Sequence, residues 1–394
     1  MDKITYKLSP SSCVEQYFSH LCERFLLYQG IKSGSAKALG FENPQGTGSE
    51  IAALAGEAWE EKLARKLIKD DSLIYTLDKK TGGFAKFNTE ETISKLVEMV
   101  ESVKGDKKTR YLYQASLKVT DNFIKDYFRF DKSLYDGTFE GLQVVFSRTH
   151  PDLIRASVDE EKNQVVLSIV DMKLAKKMKV EHKVQVTLYV KLLGYLVKEY
   201  NDEASNNKLQ AVVDTSYGYL WNYGQEQETG FSLQETEPLL EDFFQDVFPR
   251  VINKLKVAIE ADDKEQLQQV IDTQIMGNCE WCENYGQCTK RLKTEGNVAL
   301  LPYLSSYAQE YAKRLNMPKG ISEFVEEIER PEISEALSAN RSWSRILKDK
   351  SLLEIHQDAV PYTYDDMKNA GYKWKGMRSF VMPNWQNIAI IITA

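Results

Sequence analysis

From Leu142 to Tyr200 the apolar residues cluster first in short runs and then recur at helical spacing. Leu142 to Phe146 and the segment starting Asp152-Leu-Ile-Arg-Ala read as strands. Val165 to Val170 is short, apolar and β-branched, the pattern of a buried strand. Asp159 to Asn163 is polar and short, as a hairpin turn requires. Val184, Leu188, Leu192, Tyr195 and Leu196 then predict a helix over Lys183 to Tyr200. Upstream, residues 9–29 predict an entry helix and Lys32 to Ser49 a loop rich in Gly, Ser and Asn. Glu50 to Lys69 and Thr89 to Val103 predict helices, the second with Ile93, Leu96, Val97 and Val100 on one face. Downstream come a polar loop over Asn201 to Asn207, strands over Leu209 to Thr215 and Tyr217 to Tyr223, and a helix over Pro238 to Glu260. Leu304 to Leu315 and Ile321 to Ile328 predict further helices, and Val360 to Ala394 is mixed. The expected class is α/β: a central mixed sheet flanked by helices, with helical insertions and a C-terminal α/β or α extension.

The chemistry concentrates in the middle of this pattern. Asp171 ends the apolar run, and alternation puts Lys173 on the same face. Asp152 lies 19 positions earlier, and the hairpin brings it beside Asp171. Two carboxylates and a lysine on neighbouring strands suit a divalent metal next to a phosphodiester: hard oxygen ligands for the metal, and positive charge near the attacked phosphate. Asp-x-Lys by itself is a common tripeptide that a solvated strand end also carries. Its context is what distinguishes it. Gln185 and Tyr189, four apart, share one face of the following helix, where ordinary packing is the competing explanation.

Together, His150-Pro-Asp152, Val170-Asp171-Met-Lys173 and Gln185-Val-Thr-Leu-Tyr189 resemble the PD-(D/E)xK nuclease superfamily, and within it the RecB-like branch. The resemblance implies a restriction-endonuclease-like sheet. It also implies a further metal ligand, His or Glu, from an earlier helix. Gly56-Glu57-Ala-Trp-Glu60-Glu61 is the matching stretch. The family's glycine-plus-four position falls on Glu60, with Glu57 a close competitor, and the polar face of an amphipathic helix is the plain alternative. On this reading Glu60, Asp152, Asp171 and a main-chain carbonyl near Met172 hold Mg2+ or Mn2+. Lys173 orients or helps deprotonate the attacking water, and Gln185 and Tyr189 brace the lysine or the strand.

The chain has five cysteines, Cys13, Cys22, Cys279, Cys282 and Cys288. The start carries no signal-peptide pattern and no run is long and apolar enough to span a bilayer, so a cytoplasmic setting is expected, where disulfides are rare. Cys279-x2-Cys282-x5-Cys288 then reads as three metal-binding thiolates that need a fourth. Cys13 reads as a small buried hydrophobe. Leu21-Cys22-Glu-Arg-Phe-Leu-Leu-Tyr, after Leu8-Ser-Pro-Ser, resembles the Cys-Pro-Arg-x-Tyr entry motif of iron–sulfur RecB-like nucleases, with Glu23 in place of proline. Spacing leaves zinc and iron–sulfur nearly equal. The resemblance implies a 4Fe-4S cluster on Cys22, Cys279, Cys282 and Cys288, clasping the entry helix to a segment more than 250 residues later.

Composition changes this picture little. At 394 residues and 42% hydrophobic content the chain supports more than one domain. The expected division is a nuclease domain over 1–294, with a long insertion at about 70–140, and an extension over 295–394 that begins a further domain. A net charge of −7 argues against a globally basic nucleic-acid binder. Val165 to Lys191, however, holds six lysines against two acidic residues, and Lys176, Lys177, Lys179 and Lys183 follow the catalytic strand. No Gly-x4-Gly-Lys-Ser/Thr phosphate loop is present, so no ATP hydrolysis is expected from these residues. The expected function is a metal-dependent DNA nuclease acting on single strands or ends, in repair or anti-phage defence, with a helicase domain or subunit as partner. The rivals are a CRISPR-associated RecB-like exonuclease, a catalytically silent nucleic-acid-binding scaffold, and a zinc-bound structural protein.

Overall fold

The computed structural model describes residues 3–31, 49–128, 131–204, 209–261, 284–301 and 306–348, with single positions 273, 279, 282 and 304. The predicted loop at 32–49 and the mixed segment at 360–394 lie, apart from residue 49, outside the described residues. The chain divides into two compact units: residues 1–272 with 278–284, and residues 273–277 with 285–394.

The first unit is built on a mixed sheet. Its eleven described strands are β1 (Ile4–Leu8), β2 (Leu73–Ile74), β3 (Thr76–Leu77), β4 (Phe84–Ala85), β5 (Arg110–Tyr113), β6 (Leu142–Phe146), β7 (Leu153–Asp159), β8 (Gln164–Lys173), β9 (Ala211–Val213), β10 (Tyr217–Asn222) and β11 (Thr229–Ser232). The large sheet runs β11-β10-β8-β7-β5-β2, and β9 also pairs with β8. β8 is its hub. It is antiparallel to β7 across the predicted hairpin and parallel to β10 at its C-terminal end and to β9 at its N-terminal end. β8 is buried from Leu167 to Met172, except for half-covered residues at its start, which suits a strand packed on both faces. Separately, β1 pairs in parallel with β6, and β3 with β4.

Helices cover the sheet. They are α1 (Gln16–His20), α2 (Glu23–Ile31), α3 (Ser49–Lys69), α4 (Thr89–Asp106), α5 (Asp121–Tyr127), α6 (Ser133–Asp136), α7 (Val180–Glu203), α8 (Glu237–Asp242) and α9 (Phe248–Glu260). α3 lays Trp59, Leu63, Ala64 and Leu67 on Val170, Met172 and Trp221. α7 packs on β8 and β10, with Val186 against Gly218. α4 starts at a capping box, in which the Asn88 side chain accepts the Glu91 amide and Glu91 accepts the Asn88 amide.

Three details differ from the sequence reading. The entry segment is not one helix. A π-helical turn over Pro10–Glu15 leads into α1, Leu21 takes left-handed backbone (φ 51°), and α2 begins anew. Left-handed backbone stops a helix, so Cys22 lies in the break rather than inside a helix. The stretch at 70–140 is not wholly an insertion, because β5 pairs antiparallel with β7 and carries β2 at the sheet edge. β5 is only four residues long, too short for its apolar pattern to stand out. The strand at 209–215 shrinks to β9, and β1 and β11 were not foreseen.

The second unit is helical in its described residues: α10 (Tyr285–Thr294), α11 (Ser306–Arg314), α12 (Ile321–Ile328), α13 (Pro331–Ser338) and α14 (Arg341–Lys348). Phe324 stacks on Trp343 at 4.8 Å, and the Trp343 indole N–H donates to the Ala308 carbonyl at 2.7 Å. Among the described residues no helix is long and apolar enough to cross a membrane.

Gly30 on α2 sits against the buried ring of Tyr6 on β1, whose hydroxyl donates to the Leu26 carbonyl at 2.7 Å. A Cβ at Gly30 would lie 2.0 Å from that ring. Helix propensity favours alanine there by about 1 kcal/mol, but overpacking costs about 1–3 kcal/mol and the ring has nowhere to move. Gly30→Ala is expected to lower the urea midpoint, and an unchanged or raised midpoint would refute this packing.

Candidate active site

Strand register assembles the site. Leu153 pairs with Val170, so one step further sets Asp152 across from Asp171. β10 flanks the other side, pairing Leu220 with Asp171 and Asn222 with Lys173. Asp152 is 8% exposed and Asp171 2%, so both carboxylates are buried. The Lys173 ammonium lies 2.9 Å from Asp171 Oδ2 and donates to Gln185 Oε1 at 2.7 Å. Gln185 Nε2 in turn donates to the Tyr189 hydroxyl at 2.8 Å. Met172 contributes its main chain: its N–H donates to Asp152 Oδ2 at 2.6 Å. Gln114 Nε2 donates to Asp152 Oδ1 at 3.1 Å.

Glu60 reaches the same place from α3. Its neighbour Trp59 is anchored to the sheet by an indole N–H donated to the Trp221 carbonyl at 3.4 Å. Glu57 is exposed one turn away, and Glu61 is exposed and paired with Arg65 at 2.5 Å. The glutamate that meets the strand carboxylates is therefore Glu60, whose proton affinity both burial and the Asp171 charge raise.

Sequence reasoning missed Glu15. Its Oε1 lies 3.4 Å from the Lys173 ammonium and 3.8 Å from His182 Nε2. Burial and the Lys173 charge hold His182 neutral, its pKa lowered to about 3, so the contact with Glu15 is polar rather than an ion pair. The π-helical turn aims Glu15 inward, and no hydrophobic period signals such a turn. Gln114 was missed because it sits on the left-handed residue just after β5 (φ 51°), where tertiary pairing alone sets its direction.

The electrostatics are those of crowded anions around one cation. Burial, then Asp171 and Glu60, push the Asp152 carboxyl well above its usual range. Burial, then Asp171, push Glu60 up to about 7. Glu15 is raised chiefly by burial, against the opposing pull of Lys173. Burial disfavours the Lys173 ammonium, but Asp171, Glu15 and Asp152 together outweigh it and keep it charged.

Among the described residues no three His, Cys, Asp or Glu side chains are grouped closely enough to hold a metal ion. Asp152 turns both oxygens to protein donors. Asp171 Oδ2, although beside Lys173, accepts no hydrogen bond. The Asp171 carboxylate, ion-paired with Lys173, stands beside the Asp152 and Glu60 carboxyls, and such a set of hard oxygen donors is chemically suited to a divalent cation.

The cysteines are all thiols rather than disulfides. Cys13 is buried, with its Sγ near the Lys7 carbonyl. Cys22 is half-buried at the start of α2, where its Sγ accepts the Phe25 amide at 3.4 Å. The Cys282 amide donates to the Cys279 carbonyl at 2.9 Å, and both thiols are half-buried. Cys288 lies on α10. Cysteine sulfur is the ligand that both iron–sulfur clusters and structural zinc take. Of the lysines after β8, Lys176 and Lys177 are exposed, Lys179 pairs with Glu181 at 3.5 Å, and Lys183 pairs with Glu235 at 2.7 Å.

A carboxyl whose folded pKa is raised binds its proton where the unfolded chain, at about 4.3 for glutamate, has released it. The metal-free protein therefore loses stability as pH rises from about 4.5 through about 7, with Glu60 contributing on the order of 3 kcal/mol. Glu60→Gln is expected to flatten this loss in chemical denaturation across that range. Equal slopes in both proteins would show that Glu60 does not share the site. Compared with known proteins, the chain matches no family model and no curated sequence.

Proposed function

We propose that the chain is a metal-dependent DNA nuclease with a restriction-endonuclease-like sheet of the RecB-like kind, acting on single strands or free ends. The observation that carries this reading is one buried ammonium, Lys173, lying between Asp171 and Gln185 while Asp152 and Glu60 crowd the same strand end. Such crowding destabilises the metal-free fold, and phosphodiester hydrolysis gives it a use.

Glu60, Asp152, Asp171 and the main chain at Met172 would hold Mg2+ or Mn2+. When bound, the cation supplies a Lewis acid for the phosphate and lowers the pKa of water. Lys173 orients the attacking water and offsets charge that develops on the phosphate oxygens. Gln185 fixes the ammonium, and Tyr189 fixes Gln185, so α7 sets the direction of the lysine. Asp152, through the Met172 amide, keeps the ends of β7 and β8 in register. Cys22, Cys279, Cys282 and Cys288 would hold a 4Fe-4S cluster with a structural role. A CRISPR-associated exonuclease has the same donor set, and a helicase partner or defence pathway remains part of the proposal rather than of the site.

Lys173→Ala is expected to abolish Mn2+- or Mg2+-dependent cleavage of end-labelled single-stranded DNA while leaving the fold and the visible absorbance intact, with the melting temperature lowered by loss of the ion pair with Asp171. Full activity in that variant would sink the assignment. A closed single-stranded circle separates endonuclease from exonuclease action. Protein purified without oxygen should be brown, with iron and acid-labile sulfide in equal amounts. Cys282→Ser should lose the colour and melt lower, whereas zinc in place of iron would refute the cluster.

A further inference from the structure

The outer face of α3 carries a feature that neither the carboxylates nor the sheet requires. Lys62, Lys66 and Lys69 recur at spacings of four and three, and so line one helix face, with the buried Trp59 at its inner edge. Glu60, one residue from Trp59, points to the site from the adjoining face. The cations are placed rather than loose. The Lys62 ammonium lies 5.6 Å from the centre of the Trp59 ring, and Lys66 lies 5.3 Å from that of Trp221. Lys66 also donates to the Glu226 carbonyl at 2.8 Å, tying α3 to the β10–β11 turn. Between that face and the turn runs an open groove of about 680 Å³, lined by Lys62, Arg65, Lys66 and Lys69 with Gly224 and Gln225. Glu61 is the one carboxylate in the lining, and Arg65 already pairs with it at 2.5 Å.

Next to Gly224 of the groove wall stands Tyr223. It is 46% exposed, and its ring meets Trp59 edge-on at 5.0 Å. Its amide donates to the Lys173 carbonyl at 2.8 Å, so this aromatic is fixed to the catalytic strand. A large exposed ring next to buried catalytic groups, continuous with a row of lysines, has the two parts that a single nucleic-acid strand needs. Cations neutralise phosphates, and a π-face stacks on a base. A duplex hides its base faces and gains nothing from such a ring.

We infer that this face of α3 and Tyr223 form the track of a single-stranded nucleic acid. Phosphates lie along Lys62, Lys66 and Lys69, and a base stacks on Tyr223 as the chain reaches Glu60. The stripe from Lys62 to Lys69 spans about 10 Å of helix, the scale of a few successive phosphates of a single strand. The inference rests on the nuclease reading for its direction toward Glu60, but the binding surface is testable without cleavage.

The test is fluorescence anisotropy with a labelled oligothymidylate and a duplex of equal length, in chelator, across a salt series. The joint variant Lys62→Gln, Lys66→Gln and Lys69→Gln is compared with Tyr223→Ala and with the distant control Lys107→Gln. The joint variant is expected to bind the single strand more than tenfold more weakly, with a log–log salt slope smaller by about 2, since each lost phosphate contact removes about 0.7. Tyr223→Ala is expected to weaken binding about tenfold with the slope unchanged, because stacking releases no counterions. Unchanged affinity and slope in the joint variant overturn the track and leave the nuclease reading standing. Loss confined to the duplex replaces the single strand as occupant and overturns the inference. Loss in both variants, with a wild type that never cleaves, upholds the track and removes the nuclease reading instead.

Discussion

A single buried ammonium holds this site together. Three carboxylates, Asp152, Asp171 and Glu60, converge where burial already disfavours their charge, and a fourth, Glu15, approaches from the entry segment. Without Lys173 the group would repel and protonate. With it, Asp171 stays close enough for the ion pair at 2.9 Å, and Gln185 and Tyr189 keep the lysine from turning to solvent. The stabilising term is electrostatic and local, and it exists only because apolar layers exclude water around it.

Those layers explain the architecture. β8 needs cover on both faces, and each cover contributes to the site. α7 covers one face and delivers Gln185 and Tyr189. α3 covers the other with Trp59 and Leu63, and so delivers Glu60. β10, parallel to β8 at its C-terminal end, closes the flank and sets Asn222 beside Lys173. Apolar burial thus fixes the positions of polar groups that would not gather unaided. The order of magnitude is favourable: each large apolar side chain fully buried contributes about 1.5–3 kcal/mol, against a few kcal/mol for the crowded charges.

Charge is also sorted by place rather than by total. The chain is acidic overall, yet the second half of α3, from Lys62 to Lys69, and the segment after β8 are basic. Pairing removes some of them from use: Lys183 goes to Glu235 and Arg65 to Glu61. What is left exposed, including Lys62, Lys66, Lys69, Lys176 and Lys177, lies on segments that flank the carboxylates. A polyanion meeting this surface encounters a local field that the net charge does not reveal.

The chain's own pattern already specifies much of this. Val165 to Val170 reads as a buried strand because β-branched apolar runs have few other uses, and alternation alone puts Asp171 with Lys173. The polar turn at 160–163 and the helical period of α7 likewise need only neighbours in sequence. Other features arise from contacts between distant segments. The break at Leu21, the inward aim of Glu15, the edge strand β5 with Gln114 behind it, and the choice of Glu60 over Glu57 leave no periodic trace. The sequence by itself therefore determined the central elements, β7, β8 and α7, and the pairing of Asp152 with Asp171, because hydrophobic period and hairpin register are local properties. Only the tertiary structure decided which acids and amides surround the lysine, because burial and charge coupling depend on what packs against what.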